Sequence, residues 1–134
     1  MNNFSFYNPT KILFGKGQIT NIKNEIAPGT TVLITYGGGS IKRNGVYDQV
    51  MQALSHCTVL EFGGIEPNPQ YDTLMKATQL AREHNVDLLL AVGGGSVIDG
   101  TKFIAAAIPY KGDPWVFCRD DEEVLEATPL ATVL

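Results

Sequence analysis

The fold is decided by one stretch of sequence, LLLAVGGGSVIDGTK, at residues 88–102. The almost unbroken aliphatic run Val86–Val92 predicts a central parallel strand that helices cover on both faces. Gly93, Gly94 and Gly95 follow directly, and glycines permit a tight turn with positive φ and a close approach of a ligand to the backbone. We therefore expect a strand that ends in a ligand-accepting turn.

The residues after this turn predict the start of a helix. Ser96 stands at the expected N-cap, and Asp99 completes a Ser-x-x-Asp form of the capping box. The unpaired N–H groups at such a helix start, together with the helix dipole, attract phosphate oxygens. The alternative is that both residues only cap a helix, but a cap needs at most one glycine and three are present. The pattern favours nucleotide binding.

A second strand upstream ends in the same way. Residues 31–36, TVLITY, run into Gly37, Gly38, Gly39 and Ser40, and apolar residues at helical spacing follow at positions 46, 47, 50 and 54. Ligands bind beyond the carboxyl ends of strands in an open parallel sheet, so two such turns on neighbouring strands would face one crevice. Neither turn has the G-x-G-x-x-G spacing or the Gly-Lys-Ser/Thr ending of a P-loop, which argues against an NTPase and against the common dinucleotide fingerprint.

Strand and helix patterns alternate along the rest of the chain. They predict strands at Lys11–Phe14, Cys57–Phe62 and Pro129–Leu134. They also predict a helix at Gly17–Ile26, a helix from Pro69 to His84 and the end of a further helix at Pro109. The helix from Pro69 is expected to bury Tyr71, Leu74, Ala77 and Ala81. Right-handed crossovers then favour a doubly wound, mostly parallel sheet of the Rossmann-like α/β class. We expect residues 1–134 to form one such domain.

Composition and charge argue against several classes of partner. The 134 residues carry a net charge of −4 without a Lys/Arg cluster, so we expect neither nucleic acid nor a membrane as a partner. Residues 1–10 lack the features of a signal peptide, which predicts a cytoplasmic protein. Cys57 and Cys118 lie far apart and outside any C-x-x-C pattern, so we expect both to be free thiols.

We assign no catalytic residue and no metal ligand within this chain. His56 and His84 stand alone, at places where a histidine usually lies on the surface or caps a helix, and no aspartate accompanies them at ligand spacing. The carboxylates at residues 120–123 are typical of a solvated helix start. No serine lies in a G-x-S-x-G elbow, which argues against a hydrolase.

Four motifs follow one another along almost the whole chain. They are FGKG at residues 14–17, GGGS at 37–40, EPNP at 66–69 and GGGSVIDGTK at 93–102. Together they resemble the iron-containing alcohol dehydrogenase family, and most closely its NADP-preferring butanol dehydrogenase and aldehyde reductase branch. Glycerol dehydrogenase and dehydroquinate synthase share the overall architecture of this family. The turn at Ser40 and the EPNP loop, however, resemble the alcohol dehydrogenase branch more closely than these two enzymes.

The resemblance implies a two-domain enzyme. An N-terminal α/β domain would hold the dinucleotide, and a C-terminal helical domain would hold iron or zinc with His and Asp side chains. Because this chain stops at Leu134, within a predicted strand, we expect it to be the first domain alone. The implied reaction is hydride transfer between the nicotinamide and the carbonyl of an aldehyde or alcohol substrate, with the metal as Lewis acid. The family also implies a homodimer.

The resemblance assigns cofactor contacts by matching motifs. Gly93, Gly94, Gly95 and Ser96 match the family's pyrophosphate-binding turn, and Asp99 matches an aspartate close to the cofactor. Asn68 matches a loop residue that reaches the nucleotide, and Lys102 matches a lysine for which we expect a structural role. Residues 37–40 complete the predicted cofactor site.

The first glycine turn favours NADP(H) over NAD(H). NAD-preferring relatives place an acidic residue there to accept from the ribose 2′-hydroxyl, and this turn has none. Lys42 and Arg43 follow it immediately, so a 2′-phosphate would meet N–H groups, a hydroxyl and positive charge. The alternative is that Lys42 and Arg43 form only a solvated face.

Three other functions stay open at this point. One is a stand-alone nucleotide-binding module without catalysis, against which the end of the chain inside an apolar strand argues. Another is an NAD-linked enzyme similar to glycerol dehydrogenase. The third is an α/β interaction domain in which the glycines serve only helix–strand packing.

Overall fold

Four parallel strands form one sheet in the computed structural model, which describes residues 3, 5, 8–119 and 123–134. The strands are β1 (Thr31–Thr35), β2 (Thr58–Phe62), β3 (Leu88–Val92) and β4 (Leu130–Val133). Their order across the sheet is β2-β1-β3-β4, and every neighbouring pair is parallel. The predicted parallel sheet is therefore confirmed.

Helical segments precede and connect these strands. They are a 3₁₀ helix (Gln18–Asn24), α1 (Ser40–Arg43), α2 (Val46–Ala53), α3 (Tyr71–Glu83), α4 (Gly95–Ala107) and α5 (Val116–Arg119). Leu33 and Leu89 point from the strands to the face covered by α3 and α4, whereas Val32, Ile34 and Leu90 point to the face covered by α2. Each face has its own apolar core, so the sheet is doubly wound.

The two central strands are buried along nearly their whole length. Val32, Leu33 and Ile34 of β1 are fully buried, and Leu89 and Leu90 of β3 are buried almost as completely. Covered on both faces, these strands have no solvated side that would require alternating polar residues. The expected central position of the strand within Val86–Val92 is confirmed, and β1 shares it.

The strand order places a switch point between β1 and β3. The chain runs from β1 outward to β2, and α3 then carries it back past β1 to β3 on the other side. Crossovers that leave two adjacent strands in opposite directions open a crevice at the carboxyl ends of those strands. Both glycine turns lie at this point of the sheet, since they follow β1 and β3.

Of two predicted elements near the N-terminus, the strand is wrong and the helix is present in a shorter form. Lys11–Phe14 forms no strand, and Ile12 and Phe14 are 78% and 93% exposed. A strand needs a partner backbone, and the sheet offers none to this segment. The predicted helix at Gly17–Ile26 is a shorter 3₁₀ helix, in which Ile19 and Ile22 pack on the α2 face of the sheet. Their spacing of three residues matches the 3₁₀ period.

The remaining predicted elements differ from the structure only in detail. Helix α3 begins two residues after Pro69, and it buries Leu74, Ala77 and Ala81 as expected. Tyr71 is half-buried instead of buried; its ring packs edge-on against Trp115, 4.9 Å between centroids, and Trp115 is itself 42% exposed. The predicted helix start at residues 120–123 falls mostly outside the described residues. Among the helices that the structure describes, none has both the length and the apolar character that a membrane crossing requires.

A buried pair of hydroxyl groups joins β1 to α4 directly below the switch point. The Oγ1 atoms of Thr35 and Thr101 are 2.6 Å apart, and both residues are fully buried. Thr101 donates its hydroxyl proton to the Val97 carbonyl at 2.6 Å. A hydroxyl has one proton and a carbonyl only accepts, so Thr35 must donate to Thr101. The strand that leads into the first glycine turn is thus bonded to the helix that follows the second.

This direction of donation predicts unequal effects of two isosteric substitutions. Thr101→Val leaves the Thr35 hydroxyl as a buried donor without its acceptor, which costs about 1–3 kcal/mol. Thr35→Val removes a donor and leaves Thr101 bonded to Val97, so it should cost less. The free energy of unfolding, measured by urea denaturation, compares the two.

The double variant Thr35→Val/Thr101→Val provides the control, because it leaves no buried hydroxyl at this place. We expect it to be more stable than Thr101→Val alone. A double variant that loses the sum of both single effects would contradict this account of the pair.

Candidate functional site

A cleft of about 420 Å³ opens between the carboxyl ends of β1 and β3. Its wall combines three segments: the turn after β1, the loop after β2 and the turn that begins α4. The lining residues are Gly37, Gly38, Gly64, Ile65, Pro67, Gly94, Gly95, Ser96 and Val97. The expectation that both glycine turns face one crevice is confirmed.

Close packing explains why glycine stands at position 93, in the turn directly before the cleft. Gly93 has a φ of +149°, and a Cβ there would lie 3.0 Å from the Cγ2 atom of Val97. A Cβ at Gly37 would lie 3.4 Å from the Ile65 carbonyl oxygen, at an ordinary contact distance. The second turn therefore folds back tightly onto α4, and a side chain at Gly93 would push the two apart.

Other glycines leave open space instead. A Cβ added at Gly38, Gly94 or Gly95 would meet no atom within 4 Å among its described neighbours. Gly94 is the N-cap of α4, and no side chain caps this 13-residue helix. Its leading N–H groups have no partner within the helix and are accessible to a ligand. A bare backbone cradle at a helix N-terminus fits a diphosphate.

The predicted capping box at Ser96 and Asp99 is wrong. Helix α4 begins at Gly95, so Ser96 already lies inside the first turn. Its hydroxyl donates instead to the Pro67 carbonyl, which ties the β2 loop to the start of α4. Asp99 is exposed on α4 and does not line the cleft.

The β2 loop continues along the end of β1. Gly64 donates its N–H to the Gly37 carbonyl at 2.9 Å, and Ile65 donates to the Tyr36 carbonyl at 3.2 Å. Glu66, the next residue, accepts from the Thr73 hydroxyl through Oε2, whereas its buried Oε1 meets no hydrogen-bond donor among the described residues. The loop is thus fixed as the third wall of the cleft.

The structure gathers five of the ten predicted cofactor residues at the cleft. These five are Gly37, Gly38, Gly94, Gly95 and Ser96. The other five do not line it: Gly93 lies in the turn below, Gly39 and Ser40 begin α1, Asn68 is exposed on the loop and Asp99 is exposed on α4. Their contacts with a cofactor stay predictions. The loop residues Gly64, Ile65 and Pro67 were not predicted to line the cleft, although the pair Gly63-Gly64 marks a turn at this place.

A cluster of polar side chains lies beside the first glycine turn. Lys42 on α1 lies 3.7 Å from the Glu61 carboxylate of β2 and within about 5 Å of the ring centroids of Tyr36 and Tyr47. Both tyrosine hydroxyls donate to Glu61, at 3.4 Å from Tyr36 and 2.5 Å from Tyr47. Lys42 is therefore not part of a merely solvated face. The first turn itself has no acidic residue, as expected, but β2 supplies one to the lysine that follows it.

This cluster shifts two pKa values upward. The pKa of Lys42 is raised, first by its interaction with Tyr36 and further by the negative charge of Glu61. The pKa of Tyr47 is raised because its hydroxyl is hydrogen-bonded to the Glu61 carboxylate. Lys42 is thus a cation and Tyr47 a neutral donor at neutral pH.

The histidines and cysteines lie away from the cleft. His56 donates through Nε2 to the Ile26 carbonyl at 2.7 Å, and His84 donates through Nδ1 to the Leu80 carbonyl at 3.1 Å. Cys57 and Cys118 are free thiols, as expected. No three His, Cys, Asp or Glu side chains come together as a metal site within the described ranges.

Sheet order, switch-point cleft and twin glycine turns define a Rossmann-like α/β domain. The model of the family "Iron-containing alcohol dehydrogenase" matches residues 9–134. The chain belongs to this family.

Relatives and solved structures agree with this assignment. The chain is 57% identical to the NADPH-dependent aldehyde reductase YqhD of Escherichia coli and 49% identical to the probable NADH-dependent butanol dehydrogenase 1 of Bacillus subtilis; each match covers the whole chain and 35% of the relative. The structure of an NADH-dependent butanol dehydrogenase A from Thermotoga maritima superposes with a TM-score of 0.94 at 44% identity, over all of this chain and 35% of that one. The chain thus spans about a third of these relatives.

The two kinds of glycine predict unequal losses of stability when a methyl group is added, larger at Gly93 than at Gly95. Gly93→Ala should cost about 1–3 kcal/mol of folding free energy, because alanine rarely adopts a positive φ and its Cβ meets Val97. Gly95→Ala is the matched control, since its Cβ points into open space. Urea denaturation measures both, and equal losses would contradict this description of the turn.

Proposed function

We propose that this chain is the cofactor-binding part of a metal-dependent NADP(H) oxidoreductase that interconverts alcohols and aldehydes. The observation that carries the proposal is the meeting of two glycine turns in one cleft at the switch point of the sheet. The relatives' names, an aldehyde reductase and butanol dehydrogenases, support the substrate class. The reaction would be hydride transfer between the nicotinamide ring and a carbonyl carbon.

In this proposal, the backbone does most of the binding. The N–H groups at Gly94, Gly95 and Ser96 would hold the diphosphate, assisted by the positive end of the α4 dipole. Residues 37–40 would lie along the adenosine half of the cofactor. Asn68 and Asp99 would approach the nucleotide from the rims of the cleft.

We propose NADP(H) as the preferred cofactor. Lys42 follows the first turn as a charged, accessible side chain, and Arg43 is exposed beside it. Both would attract a 2′-phosphate. The relatives include NADPH-dependent and NADH-dependent enzymes, so the preference has to be tested for this chain.

The metal is assigned to a part of the enzyme beyond this chain. The described residues offer no group of three ligands, and the relatives are about three times longer than the matched region. We propose that a further, helical domain binds iron or zinc, which would polarise the carbonyl oxygen. Residues 1–134 would then be the N-terminal domain of a cytoplasmic, homodimeric enzyme, and the exposed Ile12 and Phe14 support a subunit contact near the N-terminus.

Filling the cradle tests the binding site directly. Gly95→Val places a side chain in the space proposed for the diphosphate, so we expect the Kd for NADPH to rise at least about tenfold, the loss of one good charged contact. Nicotinamide fluorescence measures Kd, and the melting temperature checks the fold. The control is Ala127→Val, which enlarges an exposed residue outside the cleft. NADPH affinity that Gly95→Val leaves unchanged would refute the assignment.

Turnover tests the proposed division into domains. We expect the 134-residue chain to bind NADPH weakly and to reduce no butanal, with or without added Fe²⁺ or Zn²⁺, because it lacks the proposed metal site. The absorbance of NADPH at 340 nm follows the reaction. Reduction of butanal by this chain would contradict the assignment of the metal to another domain.

A further inference from the structure

Glu61 occupies a position with a known use in dinucleotide-binding sheets. It lies near the carboxyl end of β2, the strand next to β1, and its carboxylate accepts from Tyr36, the residue that leads into the first glycine turn. In dinucleotide-binding folds, a carboxylate near a glycine turn accepts a hydrogen bond from the ribose 2′-hydroxyl of NAD. The chain therefore supplies from β2 the carboxylate that its first glycine turn lacks.

Glu61 is fixed by groups that flank the first turn. Tyr36, the residue directly before Gly37, and Tyr47 on α2 both donate to its carboxylate. The Tyr36 ring is itself held against Gly63, where an added Cβ would come within 2.4 Å of it. This support keeps the carboxylate at the edge of the turn without displacing it into the core.

Glu61 and Lys42 form an ion pair, and each of its two charges would favour a different cofactor. Their charged atoms are 3.7 Å apart, and both side chains remain accessible, at 49% for Lys42 and 32% for Glu61. A 2′-phosphate would bind Lys42 but be repelled by Glu61. A 2′-hydroxyl would donate to Glu61 and needs no cation.

We propose that Glu61 is a specificity-determining residue that weakens the preference for NADP(H) and permits NAD(H) to bind. The proposal rests on the proposed function, because it assumes that the adenosine ribose lies at the first glycine turn. Lys42 supplies the attraction for the 2′-phosphate, and Glu61 opposes it by pairing with Lys42 and by its own charge. The ratio of the two affinities is then set by both residues together.

The decisive variant is Glu61→Gln, which removes the charge and keeps one acceptor oxygen, enough for the shorter of the two hydrogen bonds, from Tyr47. Calorimetry with NADPH and NADH measures both dissociation constants, and adenosine 2′,5′-bisphosphate and 5′-AMP isolate the adenosine half. We expect the Kd for NADPH to fall about two- to fivefold, the range of an accessible ion pair. The Kd for NADH should rise about tenfold, the loss of a charge-assisted hydrogen bond. Glu83→Gln is the matched control, since Glu83 is an exposed carboxylate at the far end of α3.

Lys42→Met separates this role from a structural one. Alone, it should weaken NADPH binding and leave NADH binding within twofold. In the Lys42→Met background, Glu61→Gln should tighten NADPH binding less than in the unmodified chain, because the pairing with Lys42 is already gone. If Glu61→Gln fails to fold, Glu61→Asp replaces it, because the shorter side chain keeps the charge but draws the carboxylate away from Lys42. Under the proposal, this variant also shifts the ratio of the two Kd values, and an unchanged ratio would overturn it.

The outcomes distinguish this proposal from the function on which it rests. If the unmodified chain binds neither NADPH nor NADH, the proposed function fails. If it binds them and Glu61→Gln leaves the ratio of the two Kd values unchanged, the role of Glu61 is refuted and the function stands.

Discussion

The hydroxyl chain from Thr35 through Thr101 to the Val97 carbonyl is the interaction on which the rest of the site depends. It joins the last residue of β1 to α4, and the two glycine turns lie just above it. Apolar packing alone tolerates small shifts of a helix along a sheet, whereas a buried hydrogen bond requires one alignment because its donor cannot turn to water. The distance between the two glycine turns is therefore fixed by this buried hydrogen bond in the core.

The third wall of the cleft, the β2 loop, is held by hydrogen bonds to backbone carbonyls at the surface of the domain. The Ser96 hydroxyl donates to the Pro67 carbonyl, and the N–H of Gly64 donates to the Gly37 carbonyl. Each contact links the β2 loop to one of the glycine turns. The cleft is thus the joint product of three strand ends, and a single glycine motif would not form it.

The elements that could be predicted from the sequence are those with local signals. Aliphatic runs identified β1 and β3, and the glycine runs identified the two turns. Ser96 was misassigned because it lies two positions beyond the N-cap, Gly94, and its hydroxyl bonds to the Pro67 carbonyl, 29 residues away in the sequence, which no local pattern indicates. The strand at Lys11–Phe14 was wrong because an apolar run predicts a strand only if a neighbouring backbone pairs with it. Glu61 was overlooked because its relation to Lys42 depends on the pairing of β1 with β2.

This last case shows why charge at a strand end is hard to assign from a motif. Lys42 follows a turn without acidic residues, so the local sequence suggests an unopposed cation. In the sheet, the register that places Ile34 opposite Glu61 brings a carboxylate next to it, and two tyrosines hold that carboxylate in place. Because the carboxyl ends of parallel strands lie at one edge, each neighbouring strand can add a charge to the site that another strand begins. The electrostatics of such a cleft are therefore a property of strand order, and they follow from the sequence only after the order is known.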